Sequence, residues 1–431
     1  MAYAAPLPGT RAKTRLNRQQ ILGFWAAWAG WTLDGMDSVI YALVLAPALT
    51  ELLPKSGIAA TPANVGSTGS ILFAVFLIGW GCSFIWGPVA DRFGRAKSLA
   101  ATILVYSIFT GAAAFAQSAW QLGLFRFLAG VGIGGQWAMA GTYIAEAWPE
   151  DRRKMGAGYL QTGYYFGFFL AAALNYTVGA HFGWRAMFLC GLAPVIVSLL
   201  TLLKVKEPER WTAHESEVKR THPLREIFSP AYRKRTLVNS ALLTVAIIGL
   251  WAGAVYVPAA VTTLSRQAGM DSPAAARMAS IGMAVLSIGT ICGCISLPPL
   301  AERFGRKATL AFYFTGMMIA IPLAFGWAFY LGAGPVPFIV ILFFLGFAGG
   351  NFTCFSLWLP EQYETRVRAT AFAFATSVGR FIGAGVNFVL AAMVWRMGTL
   401  GVPIALTAIA FAIGLLIIPF AIETKGERLP E

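Results

Sequence analysis

"GPVADRFGRAKS" spans Gly87 to Ser98, and "PPLAERFGRKAT" spans Pro298 to Thr309, 211 residues further on (87 to 298). Both carry an acid, then Arg-Phe-Gly-Arg, then a lysine. A second pair keeps the order: "GGQWAMAGTYIAEAWPEDRR" (Gly134 to Arg153) matches "GGNFTCFSLWLPEQYETRVR" (Gly349 to Arg368) at an offset of 215 (134 to 349). Here Glu146 falls opposite Glu361 and Arg153 opposite Arg368. Two matches in one order at nearly one offset make the chain a duplicated unit, and parallel repeats of this kind place a binding site at midplane between the halves.

The repeated unit is apolar. Of 431 residues 57% are hydrophobic and only 12% charged, which excludes an ordinary soluble domain. Twelve mostly apolar segments, from Leu22–Leu49 to Leu400–Ile422, are each long enough to cross a hydrocarbon core as a helix. The expectation is an all-α membrane protein of 12 transmembrane helices in two six-helix halves. Its parts are an N-tail (1–21), a bundle (22–203), a central loop (204–236), a second bundle (237–422) and a C-tail (423–431).

The net charge of +14 sorts by loop rather than gathering on one soluble face. Counted along the chain, 26 of the 33 Lys and Arg fall on the side of the N-tail and 5 on the other. By the positive-inside rule both termini are cytoplasmic, and the excess reports orientation in a cell (inner) membrane, not a nucleic-acid partner. The five cysteines (Cys82, Cys190, Cys292, Cys294, Cys354) lie inside predicted helices, and Cys292 and Cys294 point to different faces, so neither a disulfide nor a metal is expected. No catalytic constellation points to an enzyme, no cofactor is implied, and a monomer in the bilayer is expected.

Few charges lie deep. Among the acids only Asp34 and Asp37 do, in "WTLDGMDSV" (Trp31 to Val39); among the bases only Arg126 and Arg380 do. Buried intramembrane charges are costly and mark ion or substrate pathways. At a rise of 1.5 Å per residue, Asp34 and Arg380 each lie about 18 Å in from the cytoplasmic side, and Arg126 about 9 Å in from the other. The spacing of three puts both acids on adjoining parts of one helix face, where two ionised carboxylates repel. Asp34 and Asp37 with Arg126 are therefore the candidate proton-coupling group, Asp34 the first choice for the proton and Asp37 the partner of Arg126. Arg380, always charged and bidentate toward carboxylates, is the candidate substrate ligand. Gln136 and Asn351, equivalent by the repeat, and Tyr164, Tyr165 and Asn175 on the fifth helix are candidate lining residues, with Trp358, Asn387 and Gln161 behind them.

"GPVADRFGRAKS" and "RFLAGVGIGG" (Arg126 to Gly135) resemble the signatures of the major facilitator superfamily, and the twelve-helix pattern extends the resemblance over the chain. "AAWAGWTLDGMDSVIYALVL", "AEAWPEDRR" and "GWRAMFLCGLAPVIV" are similar to the sialate/lactate:proton symporter group, and the helix 1 acid pair with a helix 11 arginine is also similar to aromatic acid:proton symporters. The resemblance implies transport by alternating access and a proton-coupling pair of helix 1 aspartate and helix 4 arginine. It also implies a cytoplasmic gate of Asp91, Arg92, Arg95, Glu146, Arg153, Glu302, Arg303, Arg306, Glu361 and Arg368, beside Gly94, Lys97 and Gly305. "GVGIGG" fits a dinucleotide fingerprint only literally, because it lies mid-helix with no strand before it. "KEPERW" (Lys206 to Trp211) is similar to a signature of sugar carriers and is expected to begin the central segment rather than to bind anything.

A proton-coupled symporter of an organic acid anion is the reading favoured, with sialic acid, lactate- or pyruvate-like monocarboxylates and aromatic acids all open as substrates. An aromatic acid or sugar:proton symporter is the alternative, ahead of a drug or metabolite efflux antiporter; the proline-containing fifth-helix signature of such antiporters is absent from "GAGYLQTGYYFGFFLAAALNY". A membrane receptor lacks the large soluble domain it would need.

Overall fold

The computed structural model describes residues 14–214, 222–254 and 256–431. Among these the regular structure is helical, without strands. Twelve of its helices are labelled α1 (Arg18–Lys55), α2 (Pro62–Gly81), α3 (Arg95–Ala113), α4 (Ala119–Ala147), α5 (Arg153–Leu174), α6 (Pro194–Lys204), α7 (Arg233–Ala254), α8 (Ser272–Phe304), α9 (Arg306–Ile321), α10 (Val336–Gly349), α11 (Arg368–Met397) and α12 (Ala408–Ile417). Several begin on side chains suited to orphan amide groups. Asn17 and Gln20 form a reciprocal capping box at α1, and Thr61, Ser118 and Asp271 accept from the first turns of α2, α4 and α8.

Among the described residues, eight helices are long and apolar enough to cross a membrane, or nine if Arg18–Leu45 and Pro47–Lys55, bent by 60°, form one span. The bend falls at Pro47, which has no amide hydrogen to continue the ladder. Helices α4, α5 and α7 are as long, at 29, 22 and 22 residues, but fall outside that set. In α4 the polar residues Arg126 and Gln136 account for much of this.

The segments before and after the central loop meet where α2 and α4 lie against α11, and where α5 lies against α8. Large apolar side chains such as Ile196, Leu203, Phe344 and Trp395 point outward, as a lipid-facing belt requires. The loop signatures contain the turns into α3 and α9. Gly94 and Gly305 stand at φ of 112° and 92°, a region open to glycine and strained for other residues, so each chain leaves one helix and starts the next within a single residue.

Candidate functional site

Helix α1 brings its acids inward through a backbone contact. Between them stands Gly35, where an added Cβ would lie 2.1 Å from the Tyr164 carbonyl oxygen of α5. No side chain fits there, so α1 and α5 touch backbone to backbone and the depth of Asp34 and Asp37 is fixed by the main chain. Both acids are buried. Asp37 accepts from Arg126 Nη1 at 3.2 Å on each oxygen, and the same nitrogen reaches Thr110 at 3.4 Å. The guanidinium lies 4.4 Å from the centre of the Tyr41 ring and 4.6 Å from that of Phe76, a cation–π clamp that helps hold a fully buried charge. Asp34 differs: among the described residues neither of its oxygens has a hydrogen-bond partner.

Arg380 is 5% exposed and donates from Nη1 to its own helix at Thr376, 2.9 Å, its only hydrogen bond among the described residues. Its guanidinium sits 4.3 Å over Trp80 and 5.9 Å from Trp137. Trp137 is stacked at 6.1 Å on Trp31, and Trp31 packs at 4.8 Å against Tyr164. A continuous aromatic surface therefore runs from the cation back to the helix that bears the acids. Asp34 and Arg380 lie close enough to interact electrostatically, with no hydrogen bond joining them.

The other candidate lining residues divide. Tyr164 and Tyr165 are buried and packed edge to face, 5.7 Å apart. Gln136 is buried, accepts from Thr102 at 3.0 Å and leaves its amide nitrogen unpartnered against Gly30 of α1. Asn351, fully buried, donates to Ala348 and leaves its oxygen unpartnered. Asn387, two turns beyond Arg380, has neither amide atom bonded. Asn175 is not brought to this cluster. It begins a π-helical turn, Asn175–Gly179, about 16 Å along the axis from Tyr164. Trp358 is committed elsewhere, donating to Ile422 at 3.0 Å.

On the face that carries Thr14 and Leu429, eight of the ten charged loop candidates form two clusters of four, buried except for Glu302. Arg95 clamps Glu146 with two nitrogens at 2.8 and 2.9 Å, and Arg306 clamps Glu361 at 2.9 and 2.8 Å. Each glutamate then takes an arginine from across the seam: Arg368 reaches Glu146 at 2.6 Å and Arg153 reaches Glu361 at 3.0 Å. Asp91 meets Arg95 at 3.1 Å and accepts from Thr370 of α11, while Glu302 pairs with Lys154 at 2.7 Å and Arg306 at 3.1 Å. Arg92 and Arg303 stand apart, exposed and lying over Phe93 and Phe304.

Sequence reasoning missed the aromatic surface and two caps. Glu207, within "KEPERW", accepts from the backbone amides of Arg95, Ala96 and Lys97, and Glu423 accepts from those of Arg306 and Lys307. Each sets a carboxylate on a helix N-terminus, where the macrodipole favours it. "KEPERW" thus does more than begin the central segment, and the signal was the spacing: Glu207 and Glu423 are 216 apart (207 to 423), close to the repeat offset. The tail also folds onto this face, where the Leu429 amide donates to Glu150 at 3.2 Å, Arg210 donates to the Leu429 carbonyl at 3.1 Å, and Arg368 donates to the Pro430 carbonyl. Burial alone would raise the Glu150 carboxyl, but Arg153, the Leu429 amide and Arg210 outweigh it and hold Glu150 below its ordinary value.

Comparison with known proteins agrees with this architecture. The family model of the Major Facilitator Superfamily matches residues 22–386. A probable 4-methylmuconolactone transporter of Cupriavidus pinatubonensis is 32% identical over 85% of this chain and 82% of its own. The sialic acid transporter NanX of Escherichia coli is 25% identical over 72% of each. Among solved structures, the proton:xylose symporter XylE of E. coli superposes with a TM-score of 0.78 at 19% identity, over 95% of this chain and 98% of that one.

Proposed function

The chain belongs to the major facilitator superfamily, and from that premise we propose that it is a monomeric, proton-coupled symporter of a small organic acid anion, working by alternating access in the inner membrane. Counting α4, α5 and α7 with the apolar helices gives twelve spans, in bundles 22–203 and 237–422 joined by 204–236, with the basic face and both termini cytoplasmic.

One observation carries the reading: Arg380, with donors uncommitted, and Asp34, with no hydrogen-bond partner among the described residues, sit within electrostatic reach in a buried site. A substrate carboxylate takes the guanidinium bidentately. A proton taken up on Asp34 neutralises the one buried acid without an ion pair among the described residues, while Asp37 stays paired with Arg126. The loaded site then carries no uncompensated charge, and the halves can rock past a dry, closed state. The crossed pairs Glu146–Arg368 and Arg153–Glu361 hold the cytoplasmic side shut and break on inward opening.

The aromatic surface of Trp31, Trp80 and Trp137 favours a substrate with a flat, unsaturated or aromatic body that stacks beside the cation. Similarity to the 4-methylmuconolactone transporter, higher than to the sialic acid transporter, supports the same choice.

The test is uptake into proteoliposomes under an imposed pH gradient, beside a thermal-shift screen of carboxylates and neutral sugars. Inward protons should drive accumulation of an aromatic or unsaturated carboxylate, and Arg380→Ala should weaken its binding by about 30-fold or more, as expected for loss of a buried charge partner. Export alone, or stabilisation by neutral sugars and not by acids, overturns the reading.

A further inference from the structure

Trp137 belongs to two assemblies at once. One is the aromatic surface under Arg380. The other is the seam between the halves. Its indole Nε1–H donates to Ser356 Oγ at 2.9 Å, across from the other half, and Ser356 lies 3.5 Å from Gln161 of α5. Its ring also packs against Phe352 at 5.6 Å and Phe372 at 5.1 Å, both from the opposite half. The residues of this junction are buried, and Trp137 is only 1% exposed. Breaking it therefore strands a buried donor unless the seam opens to water.

We propose that Trp137 is the positioning residue that couples occupancy of the carboxylate site to release of the cytoplasmic seal. The inference rests on the reading of Arg380 as the carboxylate ligand. With the site empty, the guanidinium is attracted to the indole face and the Nε1–H closes the bond to Ser356. A bound carboxylate neutralises the guanidinium and draws it from the ring. The indole is then held by one fewer contact on the substrate side, and its cross-seam bond becomes the weakest link in the floor. The bond to Ser356 belongs to the closed state alone, because donor and acceptor lie on opposite halves.

Two variants separate the parts. Trp137→Phe keeps an aromatic ring near Arg380 and removes the donor. Ser356→Ala removes the acceptor from the other half and leaves the substrate side unaltered. Hydrogen–deuterium exchange of the full-length protein in nanodiscs, over segments 142–153 and 352–368, reads the opening of the seal. Benzoate and cis,cis-muconate serve as probes. In the wild type a bound probe should raise exchange in both segments. Both variants should show exchange raised about five-fold without probe, the scale of one net hydrogen bond, and a smaller increment on adding probe, while Ser356→Ala, which alters no residue of the aromatic surface, should keep a probe affinity within about two-fold of wild type. Wild-type exchange in both variants without probe, or a full wild-type increment with it, overturns the proposal. If neither probe nor any other carboxylate binds the wild type, the carboxylate reading of Arg380 fails, while the probe-free comparison still decides whether Trp137 and Ser356 latch the seam.

Discussion

On the face that carries Thr14 and Leu429 the two halves are near copies; around Asp34 and Arg380 they are opposites. Arg95 and Glu146 on one side repeat as Arg306 and Glu361 on the other, with matching capping carboxylates at Glu207 and Glu423. In the middle, the first half holds two acids and Arg126, while the second offers Arg380 and no acid. In the proposed function, what is duplicated serves the motion common to both halves. What is not duplicated serves the chemistry, since a cation for the substrate and an acid for the proton must be different groups.

The sharpest way to break that contrast lies in the two midplane acids. Asp37→Asn leaves Arg126 buried without a counter-charge, so it should cost about 3–5 kcal/mol of stability and show as a low thermal midpoint and poor yield. Asp34→Asn removes no ion pair. It should fold normally, keep substrate exchange and lose pH-driven accumulation; accumulation surviving at wild-type level would show that the proton travels by another group.

The symmetric face can be challenged next. Glu146→Gln and Glu361→Gln each weaken one pair within a half and one across the seam, for about 3 kcal/mol apiece. Both should shift the protein toward cytoplasmic opening to similar extents, measured by hydrogen exchange or by spin-label distances. An effect confined to one of them would end the claim that the crossed pairs are equivalent.

Smaller effects are expected at the caps. Glu207→Ala and Glu423→Ala should each cost about 1 kcal/mol, through lost amide contacts at the starts of α3 and α9. Unequal losses in thermal stability would mark where the repeat has diverged. Glu150 breaks the symmetry, since Thr365 stands at its equivalent position. Its carboxyl is held below the ordinary value, so its grip on the tail is complete above that range and lost as pH falls through and beneath it. A spin label at Glu427 should stay immobile from neutral pH down to the ordinary carboxylate range and loosen only below it; loosening near pH 7 would point to a different anchor.

Much of this was legible in the sequence because it repeats. The duplicated signatures give the two halves, and the four deep charges stand out against apolar runs. The crossing was not legible: aligning Glu146 with Glu361 and Arg153 with Arg368 shows equivalence but not which arginine reaches across. Trp31, Trp80 and Trp137 were hidden because, in an apolar helix, an aromatic facing the seam looks like one facing lipid. Asn175 misled for a plainer reason: it lies on the same helix as Tyr164 but about three turns further along, well past the level of the cluster.

The crossed glutamates bear on how fast the transporter can turn over. When the seam opens, Glu146 keeps Arg95, Glu361 keeps Arg306, Arg153 keeps Glu150, and Arg368 keeps the carbonyls of Pro360 and Tyr363. Both carboxylates thus keep a cation and Arg153 keeps an acid, while Arg368 alone is left to neutral acceptors. In the proposed cycle the activation barrier therefore contains the loss of two attractions, with only one of the four charges losing its counter-charge. A gate built this way can be tight at rest and still cycle quickly.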